Sequence, residues 1–191
     1  AEAAEKAGFE HFMMKEIHEQ PKAVQDTLSS VIKNNDIDLS SVEITEEEIQ
    51  KFEQIYIVAC GSAWHVGMAA QYVIEDLVDV PVRVDLASEF RYRKMPINKN
   101  SLVIVISQSG ETLDSMAALR EAKRKGSKVL SIVNVMGSSI ARESDYVLYK
   151  WAGPEIAVAT TKAYSTQLVL LDMLGLYFAD ALGTVSACLL Y

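Results

Sequence analysis

The sequence predicts an α/β domain, a three-layer α-β-α sandwich around a five-stranded parallel sheet. Short apolar, β-branched runs alternate with helical patterns from residue 55 onward, which is typical of this class. Right-handed crossovers between such strands place helices on both faces of the sheet. The predicted strands are 55–59, 81–86, 102–106, 128–133 and 145–149. Their spacing suits the flavodoxin-like strand order, in which ligands bind at the carboxyl ends of the strands.

The start of the chain predicts helical structure and then a polar link. Apolar residues recur at helical spacing over residues 9–34, and Lys15 and Glu16 fall outside their stripe. Pro21 lacks an N–H group and predicts a break or a new helix start within this stretch. Residues 34–50 are rich in Asn, Asp and Glu, and they are expected to be a polar link that ends in a solvated helix start.

Each strand from residue 55 on leads into a turn or a helix. The predicted helices are 64–77, 88–91, 111–125, 138–143 and 161–181. Gly126 ends the third of them, and Ser138 or Ser139 caps the fourth. Together these elements indicate a helical extension and acidic link over 1–50, a core domain over 51–183, and a tail of unclear role over 184–191.

Composition excludes several classes of partner. The chain has 191 residues, a net charge of −8 and a pI near 4.9, so a nucleic acid or an anionic membrane is a poor partner. Cys60 and Cys188 make no disulfide framework, which indicates a reducing compartment. The N-terminus has no signal-peptide pattern, and the longest apolar run is too short to span a bilayer.

Two small hydroxyl-bearing turns carry the candidate chemistry. They are 60–63, after the first strand, and 107–112, after the third. Because the carboxyl ends of parallel strands meet at one edge of the sheet, we expect the two turns to converge near its switch point.

The turn at 107–112 is predicted to hold a phosphate. The helix N-terminus behind it offers unpaired N–H groups and a partial positive charge, and Gly110 permits a close approach. The alternative is that its hydroxyls only cap the helix. The turn has no lysine and is therefore not a Walker A motif, and the chain has no G-x-G-x-x-G fingerprint.

Four segments, in this order and spacing, resemble the first sugar-isomerase (SIS) domain of the glucosamine-6-phosphate synthase family. They are CGSAWHVG from Cys60, ASEFRYRK from Ala87, SQSGET from Ser107 and EIAVATTKAYSTQ from Glu155. The resemblance runs from about Phe9 to Gly183. It implies an SIS domain that binds a sugar phosphate, fructose 6-phosphate or glucosamine 6-phosphate, without a metal or an organic cofactor.

The resemblance also implies roles for individual residues. Those that would hold the phosphate are Ser107, Gln108, Ser109 and Thr112; those that would line the sugar side are Cys60, Gly61 and Ser62; and those that would close the pocket near Glu155 are Val158 and Ala159. Ser62 keeps a hydroxyl that the family has, whereas Ala63 replaces one.

The implied parent is an enzyme whose chemistry lies outside this chain. The family converts fructose 6-phosphate and glutamine-derived ammonia to glucosamine 6-phosphate in hexosamine biosynthesis. Its catalytic lysine, glutamate and histidine belong to a second SIS domain and C-terminal tail, and a glutaminase domain supplies the ammonia. We therefore expect a substrate-binding part without catalytic residues, from a cytoplasmic homodimer.

Two other functions stay open, together with some side-chain roles. The chain could be a regulatory SIS module that binds a sugar phosphate without catalysis, or a stand-alone sugar-phosphate isomerase. Cys60 is expected to be a small buried residue rather than a nucleophile. His65 could approach a ligand. The basic cluster Arg91, Arg93 and Lys94 is expected to make ion pairs or a domain contact rather than to bind substrate.

Overall fold

The structure, a computed structural model, describes residues 5–186 and orders them around one parallel sheet. The elements in chain order are α1 (Phe12–Val31), β1 (Ile32–Lys33), β2 (Asp36–Ile37), a 3₁₀ turn (Ser40–Val42), α2 (Glu46–Ile49), β3 (Gln54–Ala59), α3 (Ser62–Val78), β4 (Val82–Leu86), α4 (Ala87–Phe90), β5 (Ser101–Ser107), α5 (Leu113–Arg124), β6 (Lys128–Val133), α6 (Ser139–Glu143), β7 (Tyr146–Tyr149) and α7 (Lys162–Leu182).

The main sheet has the strand order β4-β3-β5-β6-β7, and every pairing in it is parallel. Ile104 in the central strand β5 pairs with Ile57 of β3 on one side and with Leu130 of β6 on the other. All seven residues of β5 are buried, as a continuous apolar run in a parallel sheet predicts. The predicted fold class and the flavodoxin-like order are confirmed.

Two apolar clusters fill the space on either side of the sheet. Successive residues of a strand point to opposite faces, so Ile57 and Ile104 face the helices α3 and α7. Val58, Val103 and Val105 face the other way, toward α4, α5 and α6. This arrangement is the three-layer sandwich that the sequence predicts.

Helix α7 packs as a core helix on the first face. Its contacts are with α3 and α1, and a Cβ on Gly175 would lie 3.3 Å from Ile74, so the two helices approach closely. By length and composition alone α7 could cross a membrane, a test that core helices of globular folds also pass. Leu170, Leu171 and Phe178 bury their side chains in the core cluster.

The predicted break at Pro21 is wrong, because α1 continues through it as one helix of 20 residues. Proline removes the N–H group that would bond the carbonyl of Ile17, one turn earlier. The Gln20 side-chain amide lies 3.4 Å from that carbonyl oxygen and donates in its place. Pro21 itself is exposed, so its ring meets no neighbouring element.

The predicted apolar stripe of α1 is also wrong. Lys15 and Glu16 were expected outside it, yet they are 8% and 2% exposed, whereas Ile17 is 40% exposed. The two charged side chains can be buried because they have polar partners in and around α1: Lys15 pairs with Glu19, and Glu16 accepts two backbone N–H groups.

The predicted polar link at 34–50 contains more structure than expected. The strands β1 and β2 form a small antiparallel hairpin, and Asn34 and Asn35 in its turn both have positive φ, which suits a tight hairpin turn. The acidic run does begin a helix, since Thr45 and Glu48 form a capping box at the start of α2.

Lys150 is a charged residue buried directly after β7. Its side chain is 1% exposed, and Nζ donates to the carbonyl of Ala163 at 3.3 Å. Burial lowers the pKa of Lys150 to about 7, and the negative charge of Glu155 opposes that shift in part.

This burial predicts a pH-dependent gain in stability for Lys150→Met. The unfolded chain holds the lysine proton up to about pH 10.5 and the folded chain only up to about pH 7, so wild-type stability rises between these values. The variant lacks the titrating amine, so its free energy of unfolding does not have this pH dependence. Its advantage in the free energy of unfolding should therefore be largest below pH 7 and fade toward pH 10.5, as measured by urea unfolding across this range.

The exposed Lys51 provides the control. Lys51→Met should leave the pH profile of stability unchanged relative to wild type. A Lys150→Met difference that stays constant from pH 6 to 10 would contradict the burial effect.

Candidate functional site

A cavity of about 300 Å³ opens at the carboxyl edge of the sheet, where β3 and β5 diverge into their turns. The strand order reverses at this point, since β4 lies on one side of β3 and β5 on the other. The lining residues are Cys60, Ser62, Ala63, Ile106, Ser107, Gln108, Ser109, Thr112, Ser115, Glu155, Val158, Thr160, Ala163 and Gln167. The two hydroxyl-bearing turns thus converge on one cavity, as the sequence predicts.

Three helices begin at this cavity. The first turn of α3 contributes Ser62, that of α5 follows Thr112, and that of α7 contributes Ala163. The N-terminal N–H groups of a helix lack intrahelical partners and carry a partial positive charge. The cavity is therefore attractive to an anion, although its lining residues within the described chain include no lysine or arginine.

The turn after β5 is ordered by its own hydroxyls. Ser107 Oγ accepts the N–H of Gly110 at 3.0 Å and lies 3.0 Å from Thr112 Oγ1. Ser109 Oγ accepts the N–H of Glu111 at 3.2 Å. Helix α5 starts after Thr112, whose side chain makes no capping bond to it. The turn is thus held in shape before any ligand arrives.

Gly110 is required at its position for two reasons. Its φ is +70°, which favours glycine, and a Cβ built there would overlap the hydroxyl of Ser138. The neighbouring Glu111 accepts the N–H of Ser139 at 2.8 Å, which lowers the pKa of the Glu111 carboxyl. Residue Ser138 is the N-cap of α6, but the capping oxygen comes from Glu111 and not from Ser138 or Ser139 themselves.

The turn after β3 forms the opposite wall. Gly61 has φ +58° and ψ −133° and starts α3, so Ser62 and Ala63 lie in the first turn of that helix. Cys60 is half-buried, and the hydroxyl of Ser115 donates to its sulfur at 4.0 Å. The prediction that Cys60 is buried is thus wrong, since the residue lies half-buried on the cavity wall at the end of β3.

The third wall is the loop before α7, and Glu155 organises it. One carboxylate oxygen of Glu155 accepts the N–H groups of Thr161 at 2.8 Å and of Ala163 at 3.2 Å. The other accepts the hydroxyl of Thr160 at 3.1 Å. Glu155 therefore caps the N-terminus of α7. Its own carboxylate takes the place at this helix end that a bound anion would otherwise occupy.

Gln108 is the one lining side chain with a buried polar atom that lacks a partner among the described residues. That atom is Oε1. An unpaired buried polar group is costly, and this one belongs to a residue that lines the cavity. Rotating the amide would present an N–H donor at the same point.

The structure brings together most of the residues that the sequence selects. Those on the cavity wall are Cys60, Ser62, Ser107, Gln108, Ser109, Thr112, Glu155 and Val158, whereas Gly61 and Ala159 are adjacent in the chain but do not line it. Their roles toward a ligand stay predictions.

Sequence reasoning missed several lining residues. They are Ile106, Ser115, Thr160, Ala163 and Gln167, whereas Ala63, which also lines the cavity, belongs to the predicted turn 60–63. Helical spacing could have found Ser115, which lies three residues after the predicted Thr112 at the start of the same helix.

The other candidate side chains lie away from the cavity wall. His65 is exposed and packs edge-on against Trp64. Arg93 pairs with Asp85, which fits the expected ion pairing of the basic cluster. The described residues contain no group of His, Cys, Asp and Glu that could hold a metal ion, and Cys188 lies outside them.

Comparison with known proteins gives one family and close relatives. The family model of the SIS domain matches residues 48–177. The isomerizing glutamine–fructose-6-phosphate aminotransferase of Clostridium tetani is 58% identical over 97% of this chain, and that of Caldanaerobacter subterraneus subsp. tengcongensis is 59% identical over the same share. This chain spans only 31% of either protein.

A solved structure agrees with the sequence relatives. The C-terminal domain of glucosamine-fructose-6-phosphate aminotransferase from Francisella tularensis superposes with a TM-score of 0.94 at 41% identity. The match covers 98% of this chain and 53% of that one. This chain is thus similar to about half of that domain.

The geometry of the cavity predicts that Gly110→Ala is unusually destabilising. Gly126→Ala is a matched control, because Gly126 also has a positive φ, of +84°, but a Cβ there meets nothing within 4 Å. Overlap with Ser138 should make Gly110→Ala the more costly change by about 1–3 kcal/mol in the free energy of unfolding. Chemical denaturation of both variants measures this, and equal losses would show that Ser138 does not limit the site.

Proposed function

Because this chain belongs to the SIS domain family, we propose that it binds a hexose 6-phosphate, fructose 6-phosphate or glucosamine 6-phosphate, in the cavity between the two hydroxyl-bearing turns. The observation that carries the proposal is the meeting of two open helix N-termini, those of α3 and α5, at a cavity lined by hydroxyls. Such a site attracts a phosphate through N–H and O–H donors without needing a cation.

The phosphate lies at the start of α5 in this proposal. Ser107, Ser109 and Thr112 offer hydroxyls there, and Gln108 offers its side-chain amide. The sugar extends toward Cys60 and Ser62 on one side, and toward the loop of Glu155, Val158 and Ala159 on the other. Glu155 already occupies the N-terminus of α7, which leaves that end of the cavity for hydroxyls rather than for a second anion.

The parent activity we propose is that of an isomerizing glutamine–fructose-6-phosphate aminotransferase, which makes glucosamine 6-phosphate in the cytoplasm. The cavity wall supports a binding role for this chain, because its one ionisable carboxylate, Glu155, is engaged as a helix cap. The catalytic groups then come from a second SIS domain, the ammonia from a glutaminase domain, and the working form is a homodimer. No cofactor or metal takes part.

The proposed unit of function is the segment 51–183, with 1–50 as an extension and 184–191 as a tail. A regulatory module without catalysis would use the same cavity. The high identity to aminotransferases, over nearly the whole chain, favours the enzyme over that alternative.

The phosphate proposal predicts that Ser109→Ala weakens fructose 6-phosphate binding. Loss of a hydrogen bond to a charged group should cost about 1.5–3 kcal/mol of binding free energy. Titration calorimetry measures the change. Ser29→Ala, at an exposed serine of α1, is the control and should bind as wild type does. Equal affinities for Ser109→Ala and wild type would remove Ser109 from the site.

Because we propose that the catalytic groups lie outside this chain, we predict that the purified chain binds fructose 6-phosphate but does not turn it over. The described residues on the cavity wall supply donors for the phosphate and no free general base. An assay for isomerisation to an aldose 6-phosphate, by NMR over hours, tests this. Turnover by the chain alone would favour the stand-alone isomerase instead.

A further inference from the structure

We propose that Glu16, a buried carboxylate of α1, is a positioning residue that fixes the loop 155–161 over the sugar end of the cavity. The inference rests on the proposed function, because the proposed function places the sugar against this loop. Glu16 itself does not line the cavity. It acts through the loop, from a helix that the sequence suggests is only an extension.

The contacts of Glu16 are with the loop backbone. The side chain is 2% exposed, and its Oε1 accepts the N–H of Ile156 at 2.6 Å and that of Ala157 at 3.2 Å. Its second oxygen, Oε2, lies 3.3 Å from the same N–H of Ala157. One carboxylate thus holds two consecutive N–H groups of a segment that has no helix or strand to bond them.

Burial makes this contact strong. A carboxylate taken out of water must be compensated by hydrogen bonds, and bonds to an ionised acceptor are roughly twice as strong as neutral ones. Conversely, the two N–H groups would lose their acceptor if Glu16 were truncated. The loop between Glu155 and Thr160 would then have to rearrange or admit water.

Further tethers join the same face of α1 to the start of α7. Lys162 Nζ pairs with Glu19 at 2.6 Å, and the Ser165 hydroxyl donates to Gln20 at 2.6 Å. Glu16, Glu19 and Gln20 are spaced i, i+3 and i+4, so they form one stripe on the helix. Glu19 and Gln20 bind residues of α7, just after the loop ends. Glu16 alone of the three binds the first half of the loop, at Ile156 and Ala157.

The internal bonds of the loop join Glu155 to Thr160 and Thr161 at its two ends, and the residues between them need external support because they have little packing of their own. Val158 at its tip is fully exposed, and Ile156 is 45% exposed. Yet Val158 and Thr160 line the cavity. By contrast, the turn at 107–112, which we call the phosphate turn, is held by bonds among Ser107, Gly110 and Thr112. These bonds do not involve α1.

These two modes of support lead to different losses when Glu16 is changed. Glu16→Ala should loosen the loop 155–161, which we call the sugar wall, and leave the phosphate turn intact. If the ordered loop falls to a tenth of the population, the apparent affinity for fructose 6-phosphate falls about tenfold. The affinity for inorganic phosphate, which does not reach the loop, should stay at the wild-type value.

The test compares Glu16→Ala, Glu16→Gln and a control, Asp26→Asn. Asp26 is a carboxylate on the same helix that pairs with the exposed Lys22. Calorimetry gives the affinity for fructose 6-phosphate, and NMR titration gives that for inorganic phosphate. Hydrogen exchange of the Ile156 and Ala157 amides, without ligand and well below the unfolding temperature, reports the loop directly.

The expected result is fast exchange at both amides and weak hexose-phosphate binding in Glu16→Ala only. Glu16→Gln should recover much of both, because its amide oxygen still accepts an N–H group. A merely structural loss would raise exchange throughout the chain and weaken both ligands alike, and it would overturn the inference. So would unchanged exchange at the two amides.

Failure of the proposed function has a different signature. In that case wild type would bind neither fructose 6-phosphate nor inorganic phosphate, while the amides of Ile156 and Ala157 would still lose protection in Glu16→Ala. The sugar-wall role would then be wrong together with the proposed ligand. Normal wild-type binding with an unaffected Glu16→Ala variant would reject the inference alone.

Discussion

The convergence of helix N-termini on the carboxyl edge of a parallel sheet is the constraint on which this site depends. Each buried strand ends where the next helix begins, so β3 and β5 deliver α3 and α5 to the same point. The partial positive charges of the two helices therefore add. An acidic protein, with a net charge of −8, can in this way present an anion site without a cation on its wall.

The third helix shows how the chain uses its own carboxylates in the same way. Glu155 occupies the N-terminus of α7, and Glu111 occupies that of α6. Each carboxylate satisfies N–H groups that would otherwise attract a ligand. Of the three helix ends at the cavity, only those of α3 and α5 stay open, and this arrangement suits one phosphate at one end.

The sheet and the phosphate turn were predictable from sequence because their signals are local. The run from Leu102 to Ile106 reads as a buried strand, and Gly110 among hydroxyl residues reads as a tight turn before a helix. Helix α1 was misread because its decisive contacts are distant: Glu16 is buried only since Ile156, 140 positions later, donates to it. Hydrophobic periodicity treats every charged residue as exposed, and so it cannot detect such a pairing.

The two ends of the cavity are thus stabilised in different ways. The turn at 107–112 is shaped by hydrogen bonds among its own residues and by the N–H groups of Asn134 and Ile140, which donate to the carbonyls of Gln108 and Gly110. The loop before α7 is shaped in part by the nearby bonds of Glu155 and in part by tethers to α1 that cross most of the chain. Only the loop depends on the docking of α1 against α7, because the partners of the turn at 107–112 lie in the turn itself and in residues 134–140. In the proposed site, the loop before α7 is therefore the wall that changes at α1 can reach without disturbing the turn that would hold the phosphate.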